Sequence, residues 1–342
     1  MKKRLIYILI VLFFAAAIVL IHHSKREAAK ATTDTDFTVA NVEVIDRIVL
    51  TDKNATADLR RESNHWLINN KYKAMQPKVN VLLETIQKVA VYSPVSNVRR
   101  DAVMKEFEAG STKVELFRKG EKKPFKVYYV GGNTEDSKGT YMLMEINGTK
   151  AAKPYVMSIP GFAGILNVRY FTDETEWRDT NIFSYSPEEI QRVSVQYPGN
   201  AFHSFHINVA GPDSFLAFSD VADSEAAHDI YKEGVVKYLS SFSFLNAEAF
   251  DNDNPVKDSV IHSTPYVLIS VTDKSGTARR MTVYRMPLNR RSKLQFDAQG
   301  NQLPFDLDRY YATINEGKDF VIIQNFVFGK IFRKYSDFLL KK

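Results

Sequence analysis

Residues 66–90 read WLINNKYKAMQPKVNVLLETIQKVA, and two hydrophobic periods meet inside them. Trp66-Leu67-Ile68 is a short β-type run. From Pro77 onward the apolar residues are Val79, Leu82, Leu83, Ile86, Val89 and Ala90, at spacings of 3, 1, 3, 3 and 1. Such spacing lays them along one stripe of an α-helix. Pro77 suits the first helical turn, where its missing N–H has no partner to lose. Upstream, residues 44–50 are strand-like. The turn Asp52-Lys53-Asn54 follows them, then polar residues around Leu59, so a small antiparallel meander leads into the helix.

Downstream, a short helix is expected over residues 101–107. Residues 114–117 and 125–130 flank the segment 119–123 as a hairpin that Gly131-Gly132 breaks. Residues 140–146 form another strand, Asn147-Gly148 is a strong turn signal, and residues 154–157 are the expected partner. A short apolar turn or helix over 162–168 precedes Trp177-Arg178-Asp179. From Ile190 the order repeats: strands at 190–195, 202–209 and 215–218, a helix over 224–242, hairpins at 265–284 and 310–323, and a terminal apolar segment. In that segment Phe328, Ile331, Phe332, Tyr335, Phe338 and Leu339 stand at helical spacing. Ser186-Pro187-Glu188-Glu189 resembles a helix start and marks the joint.

The N-terminus has a different character. Residues 5–21 are apolar throughout apart from the amphipathic Tyr7, and at 1.5 Å per residue they reach about 26 Å, close to the lower limit for spanning a bilayer core. Lys2, Lys3 and Arg4 precede the run and bias the N-terminus to the cytoplasm. A cleaved signal peptide is the competing reading; its apolar region would be shorter. The expected organisation is a cytoplasmic tail (1–4), a transmembrane anchor (5–23), a linker (24–41), a first α+β module (42–185) and a second (186–342) that duplicates it. The fold class is therefore α+β: one N-terminal transmembrane helix, then two similar modules of antiparallel strands packed with helices.

Composition excludes more than it assigns. The 342 residues contain no cysteine, which removes disulfides, thiolate nucleophiles and cysteine-based metal sites. The net charge of +6 arises partly beside the first helix, and Arg99-Arg100, Arg279-Arg280 and Arg290-Arg291 are scattered, so no nucleic-acid partner is expected. His203 and His206 are three apart in a strand-like stretch, which puts them on opposite faces. Asp251-Asn252-Asp253-Asn254 lacks the glycine and glutamate of a calcium loop and reads as an Asx-turn loop. Asp220, Asp223 and Glu225 read as caps for the helix that follows. No nucleophile elbow and no phosphate cradle is present. No catalytic residue, cofactor or metal is expected. The candidate partner-binding residues are Tyr170, Trp177 and Arg178, because these residue types concentrate at interfaces; a packed joint between the modules is their other reading.

The strand ending Ile48-Val49-Leu50, the Trp66-Leu67-Ile68 run and the helix with Val79, Leu82-Leu83 and Ile86 resemble the repeated module of membrane-anchored bacterial proteins classed as domain of unknown function 4340. A second copy would open at Ile190-Gln191-Arg192-Val193. The resemblance implies a single-pass envelope protein and carries no catalytic residues. The function expected is a non-enzymatic protein of the bacterial inner membrane. Its N-terminal helix contacts lipid, its body is periplasmic, and it binds or scaffolds another envelope protein or membrane complex. The alternatives are an anchored hydrolase of an envelope glycan and a solute-sensing module.

Overall fold

Pro77 stands in the first turn of helix α1 (Gln76–Lys88), as its fixed φ favours. Val79, Leu82, Leu83 and Ile86 are buried on one face of that helix. Each such side chain contributes about 1.5–3 kcal/mol when fully removed from water. Val89 ends the helix and Ala90 already begins a strand, so the stripe read from the sequence is two residues longer than the helix. The computed structural model describes residues 33–211, 214–219 and 231–339. The expected anchor and tail, residues 1–23, lie outside them, as do Asp220, Asp223 and Glu225. Among the described residues no helix is long and apolar enough to cross a membrane.

The chain is mixed α+β, with two large antiparallel sheets and few helices. It divides into two compact units between Asp179 and Thr180. The first unit has β1 (Ile45–Thr51), β2 (Thr56–Arg61), β3 (Trp66–Ile68) and β4 (Tyr72–Lys73) before α1. Then come β5 (Ala90–Pro94), α2 (Asn97–Ala109), β6 (Thr112–Arg118), β7 (Lys126–Asn133), β8 (Thr140–Ile146), β9 (Thr149–Lys150) and β10 (Tyr155–Ser158). The sheet order is β4-β3-β2-β1-β6-β7-β8-β10-β5, with β9 paired to β8. One face packs on α1; Val103 and Phe107 of α2 cover Tyr141 and Leu143 on the other.

The second unit opens with β11 (Asn181–Phe183), β12 (Ile190–Gln196), β13 (Phe205–Gly211), β14 (Ser214–Ser219) and α3 (Lys232–Ser240). After these come β15 (Leu245–Asn246), β16 (Ala249–Phe250), α4 (Lys257–Ile261), β17 (Val267–Asp273), β18 (Ala278–Arg285), β19 (Arg309–Ile314) and β20 (Asp319–Gln324). Its main sheet runs β14-β13-β12-β17-β18-β19-β20-β16, and β11 pairs with β15 separately. Val235, Tyr238 and Leu239 of α3 join the core on one face, while Val260 of α4 lies with Tyr284, Tyr311 and Phe320 in a smaller cluster.

Four expectations need correction. Gly131-Gly132 does not end its strand: β7 runs through both, and its pairing with β8 shifts register between Val130 and Asn133. A side chain at Gly131 would meet the ring of Phe107 at 2.9 Å, so the glycine admits α2 onto the sheet. Of the helix expected over 224–242, residues 224–230 lie outside the described residues; the described part is α3, nine residues from Lys232, and it stops at Ser240, with Phe242 buried just beyond its end. The terminal segment is no single helix. It is a short α-turn (Asn325–Phe328) and two 3₁₀ turns (Gly329–Ile331 and Tyr335–Phe338), which meet the i, i+3 spacing equally well. The last part of the expected linker belongs to the first unit's core, with Phe37 and Val39 buried.

Candidate interaction site

The three residues expected at a partner surface are interior groups. Tyr170 is buried with its hydroxyl 3.4 Å from that of Tyr128. The Trp177 indole is fully buried, donates from Nε1 to the Phe171 carbonyl at 2.9 Å, and meets the Phe171 ring edge-on. Its carbonyl accepts from the Met75 N–H, at the start of α1. Arg178 is buried with its guanidinium 3.6 Å from the centroid of the Tyr72 ring. Burial pushes the Tyr170 phenol up to about 12 and the Tyr128 phenol well above the usual range. Tyr170 and Trp177 thus pin the end of the first unit to α1 and β7.

The other chemical candidates are not brought together. His203 lies in a 3₁₀ turn, with its ring edge-on to Tyr197, and His206 lies in β13. In the 251–254 loop, the Asn254 amide donates to Asp251, the Val256 N–H donates to the Asn254 side chain, and Asn252 accepts from the Phe320 N–H. These bonds pin the loop beside β20. Among the described residues no group of three or more His, Asp and Glu side chains could hold a metal ion.

The exposed feature that stands out is a strand edge. Among the described residues four strands end the two main sheets, and three of them are short or blunted. β4 and β16 have two residues each, and β5 closes on Pro94. β14 has six residues, Ser-Phe-Leu-Ala-Phe-Ser, with neither charge nor proline. Native edges are commonly protected by charge, proline or brevity. Among the described residues no strand pairs with the outer side of β14.

Its register on β13 explains how it faces its surroundings. Phe215 and Ala217 pair with Val209 and Ile207 and pack against the unit's core. Leu216 and Phe218, one residue out of phase, face the other way: Leu216 is 52% exposed, and Phe218 stacks on His206 at 4.9 Å. Beside the edge, a cavity of about 400 Å³ opens between the β13–β14 hairpin and α3, with Val209, Phe215, Val236 and Leu239 supplying its apolar wall. Lys232, Glu233 and Lys237 of α3 line the adjoining pocket that Phe215 and Val236 share. An open backbone edge gives a ladder of hydrogen bonds to an added strand, and a flanking apolar cleft gives a pocket for alternate side chains. Sequence reasoning found 215–218 as a strand but not as an edge. Edge position depends on sheet order, which no local pattern carries; the missing charges and proline were the available signal.

Comparison with curated proteins gives no match. Comparison with family models gives one, described as a domain of unknown function (DUF4340), over residues 66–258. The matched stretch starts at Trp66 in β3 and ends in α4, so it crosses from one unit into the other. The strand ending Ile48-Val49-Leu50 falls before it. Because the match spans more than half of the 342 residues, this chain belongs to the DUF4340 family.

Proposed function

We propose that this protein is a non-enzymatic binding module of the bacterial cell envelope, whose edge strand β14 receives an extended segment of a partner. The single observation that carries the reading is the uncharged, proline-free β14 edge beside its apolar cleft. Residues 5–23 anchor the chain in the inner membrane, with the N-terminus cytoplasmic and the body periplasmic. The apolar run and the preceding Lys2, Lys3 and Arg4 support that topology. The partner is another envelope protein or membrane complex.

The body is a duplicated module. Both main sheets share one strand order when β3-β2-β1-β6-β7-β8-β10-β5 is laid on β14-β13-β12-β17-β18-β19-β20-β16. Ile45-x-Arg47-Ile48-x-Leu50 corresponds to Ile190-x-Arg192-Val193-x-Val195. Each copy is preceded by a 3₁₀ turn, and each shifts register between its isoleucine and its arginine. The copies differ at the edge: β3 has three residues and is covered by β4, whereas β14 has six and, among the described residues, no strand beyond it.

A photo-crosslinking residue in place of Leu216, in native membranes, tests the reading. The expected result is one discrete adduct that the same residue in place of Lys138, on the first unit, does not give. Identical adduct patterns at the two positions refute a role for the β14 edge.

A further inference from the structure

We propose that a cationic cavity at one end of the second unit's sheet binds the carboxylate of an acidic peptide segment; this rests on the correspondence of the two sheets drawn above. The first observation is what the same place holds in the first unit. Ile48, Leu116 and Lys126 stand side by side across β1, β6 and β7. Val193, Val271 and Arg279 stand side by side across β12, β17 and β18. With Ile48 laid on Val193, Arg279 is the counterpart of Lys126. Lys126 is 7% exposed, and its ammonium donates to the Thr38 carbonyl at 2.6 Å and to the Asp36 carboxylate at 3.0 Å. The segment before β1 thus brings a carboxylate to this cation, as a charge withdrawn from water requires.

The second observation is that the second unit keeps the cation and the carbonyl without the carboxylate. Arg279 donates from Nη1 to the Ile182 carbonyl at 3.3 Å, in the segment before β12. Ile182 precedes Ile190 much as Thr38 precedes Ile45. Asp36 stands two residues before Thr38, whereas Thr180, which carries no charge, stands two residues before Ile182. Arg279 is exposed and makes no ion pair with a described residue.

The third observation is the cavity itself. About 290 Å³ opens beside Arg279, and Arg280, Lys318, Asn181 and Asn315 line it too. Among its described walls Glu316 is the one carboxylate. Arg280 and Lys318 are exposed, and neither makes an ion pair with a described residue. Asp273 lies close enough to feel the charge of Arg279, but its carboxylate accepts from the N–H groups of Ser275 and Thr277 in its own turn. Three cationic side chains against one carboxylate suit an anion, and a guanidinium fork matches the two oxygens of a carboxylate. The first unit supplies the precedent, a carboxylate carried to this place on a peptide segment.

The test uses the full-length chain in detergent micelles. Phenylglyoxal modifies the arginines, and mass spectrometry follows each site. The probes are N-acetyl-triglutamate amide and inorganic phosphate, each at about 10 mM, where a ligand held at about 1 mM by a few charge-assisted hydrogen bonds is mostly bound. The expected result is modification of Arg279 and Arg280 at least threefold slower with the peptide and little changed with phosphate. Arg290, exposed in the connection that leaves the far end of β18, is unchanged. In Lys318→Gln, on an exposed turn, the protection shrinks; a variant protected as fully as the parent overturns the proposal. So do equal slowing at all three arginines, no slowing at any, and protection by phosphate as strong as by the peptide, the last marking a general oxyanion site. Leu216→Lys blocks the β14 edge and leaves this protection intact, so failure of the edge reading and failure of this one are told apart.

Discussion

Phe37→Ala removes a ring that precedes the first strand by eight residues and is nevertheless buried to 1% exposure against Tyr128 and Tyr155. A buried Phe→Ala change costs about 3–5 kcal/mol, from lost transfer energy and the cavity left behind. Residues 34–39 can lift partly away, so the lower figure, about 3 kcal/mol, applies. In a unit of about 150 residues each kcal/mol moves the midpoint by roughly 2–4 °C, which gives a fall of about 6–12 °C. The assay is built into the sequence. Both tryptophans of the chain, Trp66 and Trp177, are buried in the first unit, so tryptophan fluorescence, excited at the red edge where tyrosine does not absorb, reports that unit alone. Thermal unfolding followed by fluorescence is expected to shift, while the second unit's contribution to far-ultraviolet circular dichroism stays in place. A fluorescence midpoint within about 2 °C of the parent refutes the argument that residues 34–39 are part of this core.

Alkaline pH is expected to unfold the protein. Burial holds Tyr128 and Tyr238 well above the usual phenol range and Tyr170 at about 12. Above pH 10 the unfolded chain releases protons that these rings keep when folded, so the unfolded state binds fewer protons and stability falls as pH rises. Tyrosinate absorbance and fluorescence should change together between pH 10 and 12; reversible titration of every tyrosine near pH 10 with the fold intact contradicts this. Gly131→Ala places a methyl 2.9 Å from the Phe107 ring and should destabilise the first unit by about 1–3 kcal/mol, with partial rescue by Phe107→Leu. A neutral Gly131→Ala denies the close approach. Leu216→Lys, on the half-exposed outer face of β14, should change stability by less than about 0.5 kcal/mol yet abolish partner crosslinking from a neighbouring β14 position. Retained crosslinking shows that the edge is not the site.

Much of the fold was legible because its periods are strong. The Val79–Ile86 stripe gave α1, Asn147-Gly148 gave a turn with both residues at positive φ, and Asn315-Glu316-Gly317 did the same between β19 and β20. The failures share a physical cause. Gly131-Gly132 signals a break locally, but the strand continues, and it is Gly131 that must lack a side chain for the Phe107 ring of α2 to close on it. Phe37 sits among polar residues, and only its distant partners Tyr128 and Tyr155 make it core. Tyr170, Trp177 and Arg178 have interface chemistry, and the same amphipathic groups also suit a packed interior. The β14 edge left only its missing charges and proline as a local signal, because an edge is defined by what its neighbours in the sheet are, which is long-range information.

A single-cysteine scan tests the account most directly, since the chain has no cysteine of its own to confuse it. Leu216→Cys and Lys138→Cys variants are treated in intact cells with a membrane-impermeant maleimide, before and after mild detergent. The account predicts that position 138 is labelled in intact cells, that position 216 is protected there, and that detergent releases position 216. Labelling at position 138 only after the cells are broken contradicts the periplasmic body, and equal labelling at both positions in intact cells contradicts an occupied β14 edge.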